Sequence, residues 1–248
     1  LPLMNTYSNL KVTFRGISAT CNYQARGWNM AITANKKHEI STQIKDQELV
    51  KRRRREIVDC AVKLFIKHGY HQTSTRMLTK EMGISIGTLY EYISTKVDVL
   101  YLVCRAIYSD VEQSMKNVDT TANDAREVLK EIVRQYFLVC DRLSDHYLLL
   151  YQVTHFLPKN FQQEILDAEL EITSLFLDAI GRLKAEGKLN LDQRTINFMG
   201  HTISVLGHTW AFRRWYFAKH FTIEHFIEQQ TEFILGFLYE EKLTHQGL

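Results

Sequence analysis

Between Gly69 and Lys96 the sequence gathers side chains suited to one kind of chemistry, hydrogen bonding to phosphates and base edges. Thr73, Thr75 and Arg76 open one short helical pattern. Ser85, Ile86, Gly87, Thr88, Tyr90 and Tyr92 are the outward residues of a second. They are small, hydroxylated or aromatic, and none is a long charged chain. A helical glycine costs about 1 kcal/mol relative to alanine. On an exposed helix that cost suggests close approach to another surface, and the floor of a DNA major groove is a good candidate. The competing reading is an ordinary hairpin of two helices inside an all-helical bundle.

The surrounding residues are those needed to hold such a pair. Thr73 or Ser74 can cap the first helix through its hydroxyl. Leu78 and Met82, four apart, form its buried stripe. Gly83 stands where a helix must stop with positive φ. Ser85 can cap the second helix, with Ile84 and Leu89 packing back on the first. A preceding helix is predicted from about Ile44 to His68 on the spacing of Ile57, Ala61, Leu64 and Phe65, with Gly69 as its stop. It begins with the run Lys51-Arg52-Arg53-Arg54-Arg55. Such a run is commonly a solvated face. Placed just before a helix-turn-helix pattern, it favours phosphate contact, with Arg52 and Arg53 as candidates. Thr95 and Asp98 have the spacing of a capping box for a longer helix striped by Leu100, Val103, Ile107 and Val111. Lys96 falls in that helix's first turn, against the dipole preference, which a nearby phosphate would explain.

These residues carry a resemblance. Gly69-Tyr70, Thr73 to Arg76, Met82 to Ser85, Gly87 to Tyr90, Tyr92, Lys96, Asp98 and Leu100 resemble the DNA-binding domain of the tetracycline-repressor (TetR) family of bacterial regulators. Two departures are Thr79, where the family usually has alanine, and Ile93, where phenylalanine is usual. The resemblance implies an all-α protein of about nine helices, a three-helix helix-turn-helix head and a C-terminal domain for ligand binding and dimerisation. It also implies a phosphate contact for Lys96, and a dimer built from the last two helices of each subunit.

Composition agrees with an all-α chain. Apolar residues make up 45% and only two prolines, Pro2 and Pro158, occur in 248 residues. Net charge is +3. Residues 45–96 carry 11 Lys/Arg against 6 Asp/Glu, whereas residues 97–248 carry 15 against 21. A basic head on an acidic body suggests that only the head meets nucleic acid. The expected organisation is therefore an extension over 1–43, a DNA-binding domain over 44–96 and a ligand-binding and dimerisation domain over 97–248. The extension is expected to be disordered. Within it, Met30 is a candidate native start, with 1–29 of cloning origin or read from upstream. A small extension with its own role is the alternative. Cys21, Cys60, Cys104 and Cys140 show no metal spacing, and read as reduced small hydrophobes in a cytoplasmic protein. No apolar run approaches the ~20 residues of a membrane span.

In the body, helices are predicted over 124–143, 147–156, 161–185, 192–218 and 222–241 after a polar break at 117–123. On the fourth of these, Gly200, Ser204, Gly207 and Ala211 form a small-residue stripe, read as a packing seam between subunits. Ile227, Ile234 and Leu238 of the last helix join that expected dimer interface. His201, Val205, His208, Phe212 and Trp215 form an adjoining bulky stripe, read as a pocket wall. Tyr136, Phe137, Cys140, Tyr151, His155 and Phe156 are the other expected ligand-binding residues. Both stripes could equally be ordinary core faces. His201 and His208 are seven apart with no clear third ligand, so no metal or other cofactor is expected. An apolar pocket with a basic mouth suits a fatty acid or acyl-CoA thioester, and an aromatic effector fits nearly as well. The expected function is a homodimeric regulator on a palindromic double-stranded operator, released by such an effector. A constitutive DNA-binding regulator or activator is the alternative, and a nucleoid-type binder without a ligand is a further one. An enzyme is disfavoured because nucleophile-elbow, phosphate-loop, H-E-x-x-H and paired-carboxylate patterns are missing from the sequence.

Overall fold

Side-chain caps decide where the elements begin. The computed structural model describes residues 40–244 apart from 117, 121 and 123, with side chains up to 239. Expectations placed on 1–39, Met30 and Cys21 among them, lie outside the described residues. Helix α1 (Gln47–His68) starts where Asp46 accepts from the Glu48 and Leu49 N–H groups, both at 3.0 Å. Ser74 caps α2 (Thr75–Met82), which Gly83 ends in the left-handed region at φ 67°. Ser85 caps α3 (Ile86–Tyr90) by accepting from the Thr88 N–H at 3.0 Å. Helix α4 (Lys96–Met115) opens on the predicted capping box. The Asp98 carboxylate accepts from the Ser94 and Thr95 N–H groups, and the Thr95 hydroxyl accepts from Asp98 N–H.

The body follows as α5 (Ala125–Arg142), α6 (Ser144–Val153) running into a 3-10 turn (Thr154–Phe156), α7 (Lys159–Ala185), α8 (Gln193–Phe212), α9 (Arg214–His220) and α10 (Ile223–Thr244). The class is all-α. Among the described residues there are ten α-helices where about nine were expected. The extra one arises because the helix predicted over 192–218 breaks at Arg213, where φ is −114°. The break lets Phe217 of α9 fold back to stack on Trp210 and meet Phe226 of α10. Trp210 is pinned in turn by its Nε1–H donating to Asp141 at 2.7 Å.

Helices α5, α7 and α8 pack on one another as the centre of the body, with α10 on α5 and α6 on α8. Helix α4 lies against α1 on one side and α5 and α7 on the other. Two tyrosines stitch α4 to α7. Tyr101 donates to Glu164 and Tyr108 to Glu169, at 2.5 and 3.1 Å. In the head, Ile57, Ala61 and Phe65 of α1 bury against Leu78, Leu89 and Ile93. Thr79, the first departure from the family pattern, is buried with its hydroxyl donating to the Arg76 carbonyl at 3.0 Å. Ile93, the second, is buried as the usual phenylalanine would be.

One strut of the head was not legible in advance. Arg54, in the middle of the basic run, donates to the Tyr92 carbonyl at 3.0 Å and the Ile40 carbonyl at 2.7 Å. Thr42 adds a hydrogen bond to the Glu91 carbonyl at 2.8 Å. Ile40, expected in an unpacked extension, is buried in the core instead. Removing a charged donor from two carbonyls costs about 2 kcal/mol or more. Arg54→Ala should therefore lower unfolding stability by about that amount in urea titration, whereas Arg52→Ala, at an exposed position, should stay within about 0.5 kcal/mol.

Candidate nucleic-acid interface and effector site

The five residues of α3 show two faces. Leu89 is fully buried, whereas Ile86 and Tyr90 are 44% and 48% exposed and Gly87 is exposed beside them. Thr88 is half-buried, its hydroxyl 2.9 Å from the Ser85 hydroxyl. Ser85 thus both caps the helix and orients Thr88. Arg76 is exposed and Thr75 half-buried at the start of α2. Six of the residues expected at DNA therefore stand exposed or half-buried on α2 and α3: Thr75, Arg76, Ile86, Gly87, Thr88 and Tyr90. A Cβ added to Gly87 would meet only the Ser85 hydroxyl, at 3.6 Å. Nothing among the described residues requires a glycine there.

Three other residues of that set do different work. Thr73 is 1% exposed and donates to the Gly69 and Leu64 carbonyls, tying the end of α1 to the turn before α2. Tyr92, expected at the groove, is 5% exposed and belongs to the head's core. Lys96 was expected to wait for a phosphate. Its ammonium instead donates to the Tyr70 carbonyl at 2.5 Å and the His71 carbonyl at 3.3 Å, and lies 4.2 Å from the Tyr70 ring centroid. Those carbonyls explain a lysine in the first turn of α4 without any anion. Burial holds its pKa below the usual lysine value. In the basic run, Arg52 is exposed, while Arg53 pairs with Glu56 at 2.7 Å.

The body's expected pocket residues converge only in part, and around His208. This ring is 2% exposed, with the Tyr136 hydroxyl 2.7 Å from Nε2 and the Tyr151 hydroxyl 3.0 Å from Nδ1. A neutral imidazole offers one donor and one acceptor, so one tyrosine donates and the other accepts. Burial lowers the His208 pKa to about 4. Tyr147, unanticipated from sequence, packs 4.4 Å from the ring centroid, and Phe212 packs on Tyr151. The Tyr147 hydroxyl is buried against Tyr136. Cys140 is fully buried beside it, its thiol pushed up to about 12 by burial. Phe137 is buried next to Phe226.

The remaining pocket residues point elsewhere. His201, Val205 and Trp215 are exposed. Phe156 reaches the head, packing on Tyr70 and His71 at centroid distances of 5.7 and 4.2 Å, with the exposed His155 against its ring. The small-residue stripe of α8 packs within this subunit, whereas the bulky stripe is split, with His208 and Phe212 inward. Gly200, Ser204, Gly207 and Ala211 are buried inside this subunit, as are Ile227, Ile234 and Leu238. A Cβ on Gly207 would sit 2.8 Å from the Tyr136 ring and 3.1 Å from Cys140 and Phe137, so this glycine admits the subunit's own α5. Ser204 hydrogen-bonds Thr173 of α7 at 3.1 Å. Among the described residues, the large apolar side chains left open on these helices are Phe198, Val205 and Phe233.

A pH dependence follows from His208. Its folded pKa lies below its unfolded value of 6.5, so the unfolded chain binds the proton more readily. Stability is then complete above about pH 6.5 and falls as the pH drops towards 4, by about 3 kcal/mol from this group. Urea titrations between pH 7 and pH 4 should show that loss, and His208→Gln should remove its share of the slope.

Comparison with known proteins agrees with the geometry. Residues 57–101 match the family described as "Bacterial regulatory proteins, tetR family". Over 210 residues the chain is 27% identical to the HTH-type transcriptional regulator HbdR of Aromatoleum sp. (strain CIB), covering 84% of this chain and 88% of that protein. It is 25% identical over 132 residues to the fatty acid metabolism regulator protein of Bacillus subtilis (strain 168), covering 53% and 66% respectively. A bacterial regulatory protein in the tetR family from Rhodococcus RHA1 shares the fold with a TM-score of 0.67 at 20% identity, over 75% of this chain and 96% of that one. AibR, solved in complex with isovaleryl coenzyme A and operator DNA, gives a TM-score of 0.62 at 16% identity, over 75% and 98%. Residues 57–101 thus carry the segment of the tetR-family model, and the helical fold along the chain is the one those regulators share.

Proposed function

We propose that this protein is a homodimeric DNA-binding repressor whose α3 enters the major groove of a palindromic operator, and that a small carboxylic acid or its thioester releases it. The observation that carries the DNA reading is Gly87, exposed on a capped recognition-type helix with nothing among the described residues to require it. Ile86, Thr88 and Tyr90 then read bases, Thr75 and Arg76 meet the backbone, and Arg52 adds phosphate contact. Residues 44–96 act as the reading head and 97–248 as the sensing and pairing body. The fatty acid regulator and the isovaleryl coenzyme A complex among its relatives support the effector class.

The sensing site of this proposal is the His208 cluster. The buried Tyr147 hydroxyl, set beside Tyr136 and Cys140, is a donor from which a ligand carbonyl or carboxyl can accept. Ligand entry would part Tyr151 from His208. Tyr151 lies on α6, and the 3-10 turn after it holds Phe156 against Tyr70 and His71, whose carbonyls hold Lys96. The effector must prefer the parted arrangement, or no release follows.

Two experiments test this reading. Gly87→Ala should leave unfolding stability unchanged or raise it by up to about 1 kcal/mol, by helix propensity. In gel shifts on duplexes selected from a random library, it should weaken binding tenfold or more. Thr88→Ala and Tyr90→Ala should change which sequences are selected. Undiminished binding by Gly87→Ala would refute close approach of α3. The pairing face is tested separately. Phe198 and Phe233 are 62% and 59% exposed, and a partner subunit would cover them. Phe233→Glu should shift the protein from dimer to monomer in sedimentation equilibrium, with its helical circular dichroism intact.

A further inference from the structure

An opening lies between α1, α4 and α6, lined by side chains other than those of the His208 cluster, with a volume of about 1220 Å³. Its character changes along α1. Lys51, Arg52 and Arg55 line one end, and Val58, Val62 and Ile66 line the other. Lys51, Arg55, Val58, Val62 and Ile66 step by four, three, four and four, so they form one stripe of the helix. From Lys51 to Ile66 the stripe runs about 22 Å, at 1.5 Å per residue. Helix α4 supplies the opposite wall with Leu102, Arg105 and Ala106. The groove's carboxylates are Glu48, Asp59 and Asp110, and Glu48 is already paired with Lys51 at 2.8 Å. Arg52 and Arg55 are exposed, as is Lys63 in the same lining. Ile66 is 45% exposed, an apolar surface with no cover from the described residues.

We infer that this groove binds a single-chain anionic amphiphile, its charged head at Arg52 and Arg55 and its alkyl chain along Val62, Ile66 and Leu102. A cationic end continuous with an apolar trough complements a molecule that is anionic at one end and apolar along its length. Neither a bare anion nor a neutral lipid uses both parts. Arg52 is also a cation that the proposed operator complex places on phosphate. An amphiphile seated here therefore competes with DNA for the same charge, and release follows by direct exclusion rather than through the His208 cluster. This competition arm rests on the DNA-binding reading; the binding site itself does not.

The full chain is titrated calorimetrically with decyl phosphate below its micelle concentration, alongside inorganic phosphate and decyl maltoside. One decyl phosphate should bind per chain, with the other two at least tenfold weaker. Arg55→Ala and Ile66→Glu change exposed side chains, and each should weaken decyl phosphate tenfold or more. Decyl phosphate should release selected duplex DNA from the unaltered protein, and release from Ile66→Glu should need about tenfold more. No binding, or binding that both variants leave intact, overturns the site; the latter would locate the ligand elsewhere, the body core included. Binding that decyl maltoside matches overturns the charge requirement. Failure to hold DNA in the absence of any amphiphile would instead count against the regulator reading, and leaves the calorimetric result standing.

Discussion

A helix of five residues cannot hold itself together in water, because isolated helices below about 12 residues are marginal even for the best formers. Helix α3 is that short, and everything around it answers the deficit. Ser85 satisfies its first turn, Leu89 roots it in the core, and Ile93 and Tyr92 bury the chain that leaves it. Only with those anchors in place can Ile86, Gly87 and Tyr90 remain open to solvent. The head is organised to present a face that contributes little to its own stability.

The same economy governs the head's cations. Loops between short helices leave carbonyls without helical partners, and a buried carbonyl left unpaired is costly. Arg54 serves the carbonyls of Ile40 and Tyr92, and Lys96 those of Tyr70 and His71. A run of basic residues beside a helix-turn-helix is thus not uniformly a phosphate surface. Arg54 braces the fold, Arg53 pairs with Glu56, and Arg52 and Arg55 keep their charge at the surface.

The body is closed by polar contacts as well as apolar ones. His208 is held neutral between two tyrosines, Thr173 meets Ser204 across α7 and α8, and Tyr101 and Tyr108 tie α4 to carboxylates of α7. Buried networks of this kind are specific when complete, and sensitive where one member lacks a partner. The centre of the body and the head share one continuous line of contact, through α6 and Phe156 to Tyr70 and Lys96. A change in how the core closes would therefore be felt at the turn that positions α2.

Periodicity and local chemistry determined much from the sequence alone: the all-α class, the capping roles of Ser74, Ser85 and Thr95, the stops at Gly69 and Gly83, and the division of α3 into rooted and outward residues. These are legible because caps and stripes depend on neighbours within about four positions. What covers a face is a different matter. Gly200, Ser204, Gly207 and Ala211 share one side of a helix, but only packing showed that α5 and α7 of the same subunit lie against it. Thr73, Tyr92 and Lys96 occupy positions typical of DNA contacts, yet their partners are carbonyls and core atoms that become neighbours only after the chain folds back. Long-range contacts of that kind depend on where distant segments come to rest. For that reason Arg54, Tyr147 and the groove of α1 and α4 were visible only in the tertiary structure.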